Sequence, residues 1–471
     1  MPIPEWVADA IFYQIFPDRF ANGDPQNDPS NVQLWGSKPT HEGFQGGDLR
    51  GVIQRFDYLL DLGINAIYFN PIFKASSNHR YDTEDYFKID PKLGTMEDFH
   101  SLIELAHHHD VRVILDGVFN HCGRGFFAFQ DILENQEKSK YVDWYHILHF
   151  PVRAYGSLKA QDYEAWWGFS SLPKFNTDNA DVRSYLLNVA RYWIEQGADG
   201  WRLDVPNEID DDAFWAEFRQ VVKSTNHEAY LLGEIWEINP RWVGEGHFDG
   251  LMNYPFRDAL IQFFIKGEDS VATFGSNLEK IIRSYPQEND LAHLLPLSTH
   301  DTERLLTLSH EDMKRVDLMI LTQFFFPGAP SIYYGDEIGM EGGKDPDCRR
   351  AFPWDEGEWD MEHRSFIRKL IQIRKKVPEL RRGTFERLAE DDEHKSFVFL
   401  RSLAEQRAYL IVNASGTEID LQEVASRWGL PMGKPLWDAT NGREILFGVH
   451  GKGAKLSASE GLILIDHRLQ D

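Results

Sequence analysis

Gly200-Trp201-Arg202-Leu203-Asp204 is an apolar run that carries two opposite charges, and its reading decides the fold. Side chains alternate along a strand, so Arg202 and Asp204 share one face, with Asp204 at the C-terminal end. Seven more short apolar runs lie along the chain, at 10–16, 64–70, 111–118, 230–235, 250–253, 294–299 and 331–334. Between them stand amphipathic stretches with helical spacing, at 49–62, 96–109, 182–196, 212–224, 271–284 and 312–326. Eight strands, most of them followed by helical sequence, predict an α/β fold of the (β/α)8 TIM-barrel type. The competing doubly wound sheet normally places a glycine-rich phosphate turn after its first strand, and this sequence has none there.

Two segments fall outside that alternation. From His121 to about Ser170 no helical pattern is legible, while Trp144, Tyr145, Tyr155, Trp166 and Trp167 crowd together. A stretch that long is not expected to be plain loop. It reads as a small domain, 122–170, inserted after the third strand between barrel portions 1–121 and 171–378. Within it Trp166-Trp167-Gly168-Phe169 reads as part core and part sugar platform. After Pro378 the pattern changes to short strands at 396–401, 408–412 and 462–465, with Asn441-Gly442 marking a turn. A C-terminal antiparallel β-sandwich over 379–471 is expected.

Composition narrows the class. With 42% apolar residues over 471 positions the chain buries a substantial core, so disorder is excluded. A net charge of −26 disfavours a nucleic-acid partner. Aromatics reach 13%, with 14 Trp, which core packing or stacking on flat sugar faces would explain. The two cysteines, Cys122 and Cys348, cannot make a disulfide framework; they read as two free thiols in a reducing compartment, with one bridge as the alternative. The N-terminus lacks a signal-peptide pattern and no apolar run reaches membrane-spanning length, so a cytoplasmic protein without a membrane partner is expected.

The chemistry is read from acids at strand ends, where barrel active sites lie. A guanidinium beside Asp204 favours its ionised form, as a nucleophilic carboxylate requires; the bland alternative is an intrabarrel ion pair. Leu231-Leu-Gly-Glu-Ile235 ends the fifth strand with Glu234 in apolar surroundings, which raise its pKa and suit a proton donor. Ser298-Thr-His-Asp-Thr-Glu-Arg304 ends the seventh with Asp301 beside His300. Three acids gathered this way repel one another, a poor structural feature. They suit a retaining glycosidase, whose two carboxyls stand about 5–5.5 Å apart.

Asp116-Gly-Val-Phe-Asn-His121, Gly200-Trp-Arg-Leu-Asp-Val-Pro-Asn-Glu208, Gly233-Glu-Ile-Trp236 and Thr299-His-Asp301 resemble, in order and spacing, the four signature regions of the α-amylase family of glycoside hydrolases. The resemblance runs from about Tyr13 to Trp354. It implies the barrel, the inserted domain, the C-terminal β-domain and retaining cleavage of α-glucosidic bonds. It assigns Asp204 as nucleophile, Glu234 as acid/base and Asp301 as transition-state stabiliser. It places Tyr81, Asp82, His121, Arg202 and His300 around the sugar under attack, with Tyr81 and Asp82 from Asn78-His-Arg-Tyr-Asp82. Ser171-Leu-Pro-Lys-Phe-Asn176 is similar to a segment of the neopullulanase, cyclomaltodextrinase and maltogenic amylase group. There Asn207 and Glu208 help form the acceptor subsites, while Arg349 and Trp354 lie at the rim; Trp236, two residues after Glu234, is expected to touch substrate. Pro206 departs from the Ala more usual in that group.

That group commonly carries an extra N-terminal domain that narrows the cleft through a dimer. This chain enters its first strand almost at once, so a more open cleft, or a homodimer through another surface, is expected. Asn22-Gly-Asp-Pro-Gln-Asn-Asp28 and Gly46-Gly-Asp48 concentrate oxygen ligands. They suit Ca2+, although the same residues also favour ordinary turns. The resemblance favours a structural calcium held by Asn22, Asp24, Asn27, Asp28, Gly46 and Asp48. His107-His-His-Asp110 reads as a solvated helix end, because consecutive histidines on a helix diverge. The expected activity is hydrolysis of α-1,4 and/or α-1,6 bonds in maltooligosaccharides, cyclodextrins, pullulan or branched glucans. A debranching enzyme or a transglycosylase on the same substrates is the alternative, and a non-catalytic glucan-binding scaffold the remote one.

Overall fold

The computed structural model describes residues 2–448 and 454–468. All eight apolar runs form barrel strands: β1 (Phe12–Ile15), β2 (Ala66–Phe69), β3 (Arg112–Gly117), β4 (Gly200–Leu203), β5 (Tyr230–Gly233), β6 (Gly250–Leu251), β7 (Leu294–Pro296) and β8 (Ala329–Tyr333). They pair in parallel in the order β6-β5-β4-β3-β2-β1-β8-β7. A parallel bridge from Met252 to Leu294 joins the two ends. The fold is therefore the expected barrel.

Strand alternation divides the apolar residues between two cores. Phe12, Ala66, Tyr68, Ile114, Leu232 and Leu294 cluster together as the barrel interior. Tyr13, Ile67, Val113, Trp201, Leu231 and Leu295 join the larger core shared with the surrounding helices. Two residues further along the interior phase, the side chains turn polar. Phe12 is followed by Gln14, Ile114 by Asp116, Arg202 by Asp204 and Leu232 by Glu234, all buried. The C-terminal mouth of the barrel is thus polar by sequence design, while its floor is apolar.

The helices begin on side-chain caps, which satisfy their first N–H groups. Thr95 and Asp98 form a capping box on Met96–His108; Asn179, Asp211 and Ser270 cap Ala180–Glu195, Asp212–Thr225 and Val271–Ser284. The helix expected at 49–62 is two, Leu49–Gln54 and Phe56–Leu62, broken at Arg55, whose guanidinium lies over the Trp354 ring at 4.2 Å. His107 is not merely solvated. Its Nε2 meets Asp199 at 2.8 Å, and Asp199 also accepts from Arg112 Nη1.

The segment 122–170 contains a helix, Phe127–Asn135, where none was expected. Its N-cap position is Phe126, without a capping side chain, so the usual start signal is missing, and the surrounding aromatics hide its apolar face. Bridges His121–Lys174, Tyr145–Phe175 and Ala165–Pro173 tie this segment back to the barrel mouth.

C-terminal to the barrel, six antiparallel strands run in the spatial order Thr384–Asp391, Ser396–Leu403, Gln406–Asn413, Glu460–Ile465, Pro435–Asp438, Arg443–Leu446. A ribbon of Ile419–Asp420 and Lys455–Leu456 stands apart as a second sheet. Gly442 turns between Asp438 and Arg443 at φ +67°, as its Asn-Gly dipeptide predicts. Period-two patterning directs Phe397, Phe399 and Leu410 to the barrel core, and Val398, Ile411 and Leu462 to a separate core around Trp428. Among the described residues no helix is long and apolar enough to cross a membrane. Cys122 and Cys348 are free and buried.

Phe399 is wholly buried against the rings of Phe274, Phe385 and Phe397. Phe399→Ala should cost about 3–5 kcal/mol and clearly lower the thermal midpoint. Leu34→Ala, at a site 86% exposed, should leave that midpoint nearly in place.

Candidate active site

Arg202 organises the mouth of the barrel. It is fully buried, and the register of β3 on β4 sets it opposite Asp116. Its Nη1 meets Asp116 Oδ1 at 2.8 Å and Asp204 Oδ1 at 3.0 Å, and its Nη2 meets Glu234 Oε1 at 2.6 Å. Glu234 also accepts the backbone N–H of Val205 at 3.1 Å on Oε2. Val205 presents that N–H from a left-handed backbone, φ 36° and ψ 51°, which a β-branched residue ahead of a proline rarely adopts.

The electrostatics follow from one guanidinium among several carboxyls. Burial raises the Glu234 carboxyl to about 7; Arg202 opposes this, while Asp301 adds to it. Burial also raises Asp204 well above its usual range, with Arg202 pulling down and Glu234, Asp116 and Asp301 pushing up. Arg202 thus favours the ionised form of Asp204, as expected, but burial and the neighbouring acids outweigh it, because that guanidinium is shared among three acids. Burial works to raise Asp301 as well, yet His300, Arg349 and Arg202 outweigh it and hold that carboxyl below its usual range.

A second hydrogen-bonded line leads from Asp116 to Asp301. Asp116 Oδ2 accepts from Tyr68 at 2.9 Å and from Tyr81 at 2.8 Å. The Tyr81 hydroxyl meets His300 Nε2 at 2.6 Å, and the two rings stack at 5.4 Å. Gln14 Nε2 donates to His300 Nδ1 at 2.9 Å, which places the ring proton on Nε2, towards Asp301 Oδ2 at 3.0 Å. Burial lowers His300 to about 3, so it is neutral at pH 7. Arg349 donates from Nε to the His300 carbonyl at 2.8 Å and from Nη2 to Asp301 Oδ1 at 3.1 Å.

His121 is buried, lowered to about 3 by burial, and its Nε2 lacks a partner, while its ring stacks on Trp166. Asp82 turns its carboxylate onto the hydroxyls of Ser76 and Ser77, so its own loop holds it. Glu208 pairs with Lys174 at 3.7 Å, and Asn207 is exposed on the same turn. Trp236 is half exposed, its other face stacked on Tyr254 at 3.7 Å. Gln14, Tyr68, Asp116, Val205 and Tyr254 join the site without having been expected there. For Gln14 and Asp116 a signal existed: each is a polar residue in the interior phase of an otherwise apolar strand.

Asn22, Asp24, Asn27, Asp28, Gly46 and Asp48 come together beside the first strand's exit. Asn22 Nδ2 donates to Asp28 Oδ1 at 2.9 Å, Asn27 Nδ2 to Asp48 Oδ2 at 3.2 Å, and a Cβ on Gly46 would lie 2.3 Å from Asp28 Oδ1. Asp48 also caps helix Leu49–Gln54 and accepts the N–H of Asp24. Asn22 Oδ1 and Asn27 Oδ1 are buried acceptors without a donor. Oxygens stranded in that way fit a hard cation.

A closed (β/α)8 barrel with acids at the ends of β4, β5 and β7 around a buried arginine defines a barrel glycosidase. The family description "Alpha amylase, catalytic domain" matches residues 14–420. The chain belongs to the alpha-amylase family. It is 46% identical over 412 residues to a cyclomaltodextrinase from Bacillus sp, covering 87% of this chain and 73% of that one. Neopullulanase 2 of Thermoactinomyces vulgaris is 42% identical over 472 residues, covering 99% of this chain and 79% of its own. Among solved structures, the cyclic alpha-maltosyl-(1→6)-maltose hydrolase from Arthrobacter globiformis superposes with a TM-score of 0.90 at 39% identity, covering 99% of this chain and 100% of that one. The Nostoc punctiforme debranching enzyme gives 0.84 at 39% identity, covering 98% and 99%.

Glu234 titrates near 7 in the folded chain against an ordinary 4.5, so it binds a proton that the unfolded chain has released. Stability contributed by its neutral form is complete below about pH 4.5 and is lost as pH rises to about 7. Glu234→Gln, which mimics the protonated acid, should match the parent's melting temperature at pH 4.5 and exceed it at pH 8.

Proposed function

We propose that the chain hydrolyses α-1,4 and α-1,6 glucosidic bonds of maltooligosaccharides and related glucans with retention, through a glycosyl-enzyme intermediate on Asp204. The observation that carries this is Arg202 spanning Asp204 and Glu234 while Glu234 is raised to about 7. One guanidinium head contacts both carboxyls, which supports the close pairing that retention requires. Glu234, still protonated near neutrality, donates to the leaving glycosidic oxygen as Asp204 attacks the anomeric carbon. Ionised Glu234 then takes a proton from water, which displaces Asp204. Arg202 favours the carboxylate of Asp204 while Glu234 is protonated and brings no charge to compete for the guanidinium. Asp301, held ionised by Arg349 and His300, stabilises positive charge at the sugar ring.

Tyr81, His121, His300 and Asp82 surround the attacked sugar in this reading, and Asn207, Glu208 and Trp236 meet the acceptor side. The name of the Nostoc neighbour, a debranching enzyme, supports including α-1,6 bonds, and that of the Arthrobacter neighbour, a cyclic alpha-maltosyl-(1→6)-maltose hydrolase, supports a substrate that contains them. A relative named intracellular maltogenic amylase in Bacillus subtilis, together with two buried free thiols, supports a cytoplasmic setting. Calcium is proposed as a structural ion held by Asn22, Asp24, Asn27, Asp28, Gly46 and Asp48, supported by the stranded amide oxygens of Asn22 and Asn27. It would brace the first βα loop, outside the chemistry.

Asp204→Asn and Glu234→Gln should each lower kcat by about a thousandfold or more on pullulan, β-cyclodextrin and a branched maltooligosaccharide. Degradation by either variant at the parent's rate would refute the assignment. Chromatography of the products fixes the bond: panose from pullulan marks α-1,4 cleavage, and linear chains released from branches mark α-1,6. For calcium, a chelator should lower the melting temperature by several degrees, and added Ca2+ should restore it in the parent but not in Asp28→Ala. An unchanged melting temperature on chelation would remove the ion from the proposal.

A further inference from the structure

The aromatic motif of the inserted segment extends the site outward. His121, at the barrel mouth, stacks on Trp166 at 5.5 Å between ring centroids with planes 20° apart. Trp166 in turn stacks on Trp167 at 4.6 Å with planes 8° apart. Three rings therefore lie face to face, from a buried histidine to solvent. The inner end of the stack lacks two partners: His121 Nε2 and Trp166 Nε1 are buried polar atoms without a hydrogen bond. The outer end is open. Trp167 is 68% exposed, although one of its faces is covered by Trp166.

Holding Trp167 there costs backbone strain. It stands at φ 47° and ψ 20°, a left-handed conformation that bulky residues avoid, and Gly168 follows at φ 72°. Burial does not compensate for this strain, because the ring remains largely in water. The surrounding loop nevertheless fixes the turn. Lys159 Nζ donates to the Trp167 carbonyl at 2.9 Å and lies over the Phe169 ring at 4.9 Å, and Ala160 N donates to the Gly168 carbonyl at 2.8 Å. Strain of this kind, fixed by its surroundings around an exposed side chain, is typical of functional positions. A large flat apolar face held open at the end of a ring stack that starts in the proposed sugar site fits the C–H face of a pyranose ring.

We propose that Trp167 is an outer subsite, its open indole face stacking on a glucosyl unit of the same chain beyond the one held between Asp204 and Glu234. The proposal rests on the glucan-hydrolase reading above and adds to it a residue that selects longer chains. The His121–Trp166 stack fixes the plane of the Trp167 ring, so the subsite is rigid with respect to the attacked sugar.

Binding of maltotriose and maltoheptaose to the Asp204→Asn protein, measured by calorimetry with and without Trp167→Ala, tests this. The added substitution should weaken maltoheptaose about tenfold and leave maltotriose nearly unchanged, with Trp167→Phe recovering most of the loss. Because the ring is exposed, the melting temperature should change little. Equal affinity for maltoheptaose with and without Trp167 would overturn the subsite. So would an equal loss for both sugars, which would reduce Trp167 to a prop for Trp166. Loss of self-association with sugar affinity intact would instead assign the face to a contact between copies. Length-dependent binding through Trp167 by a parent chain that cleaves no glucan would retain the subsite and refute the hydrolase reading.

Discussion

The structure depends on a cation without access to water. Arg202 stands on β4 with no exposed surface and three carboxyls around its head. A charge buried in this way is tolerable only when it is paired, and removing one partner of a buried pair typically costs about 3–5 kcal/mol. Each carboxyl is buried as well, so each needs the guanidinium or a proton. One cation cannot satisfy three anions, and the mismatch appears as Glu234 holding its proton to about 7. The same imbalance that makes the cluster costly for folding supplies an acid poised near neutral pH.

The barrel makes this arrangement rigid. Its interior changes from apolar to polar over two residues along the strands, so the charges lie directly above a packed floor. Parallel register places Asp116 beside Arg202, and the turn after Asp204 brings the Val205 N–H onto Glu234. Tyr81 and His300 then link Asp116 to Asp301 across the mouth. The acids are thus coupled through shared partners, and their titrations belong to the group.

Much of this was legible in the sequence. The eight strands were, because each is a short apolar run with a polar end, and so were five of the six expected helical stretches, 312–326 included, because their periodicity and caps agree. The helix Phe127–Asn135 was not, since it starts on Phe126 without a capping side chain. The break at Arg55 was also hidden, because the apolar spacing continues across it. Within the site, Asp204, Glu234 and Asp301 stood out as acids at strand ends. Tyr68 did not, because its hydroxyl shows its purpose only once its partner, Asp116, is known.

The sequence by itself determined the barrel, the acids at its strand ends and the family, because periodicity and ordered motifs are local properties that survive in one dimension. Tertiary structure alone decided how charge is shared. That Arg202 serves three acids, that Asp82 is held by its own loop, and that His300 is neutral all depend on distances between distant segments. Burial raised Glu234 and Asp204 and lowered His121 and His300, and burial is a property of the packed chain. Trp167 shows the division most plainly: the sequence gives an aromatic pair, and only the fold leaves one face of it open to solvent.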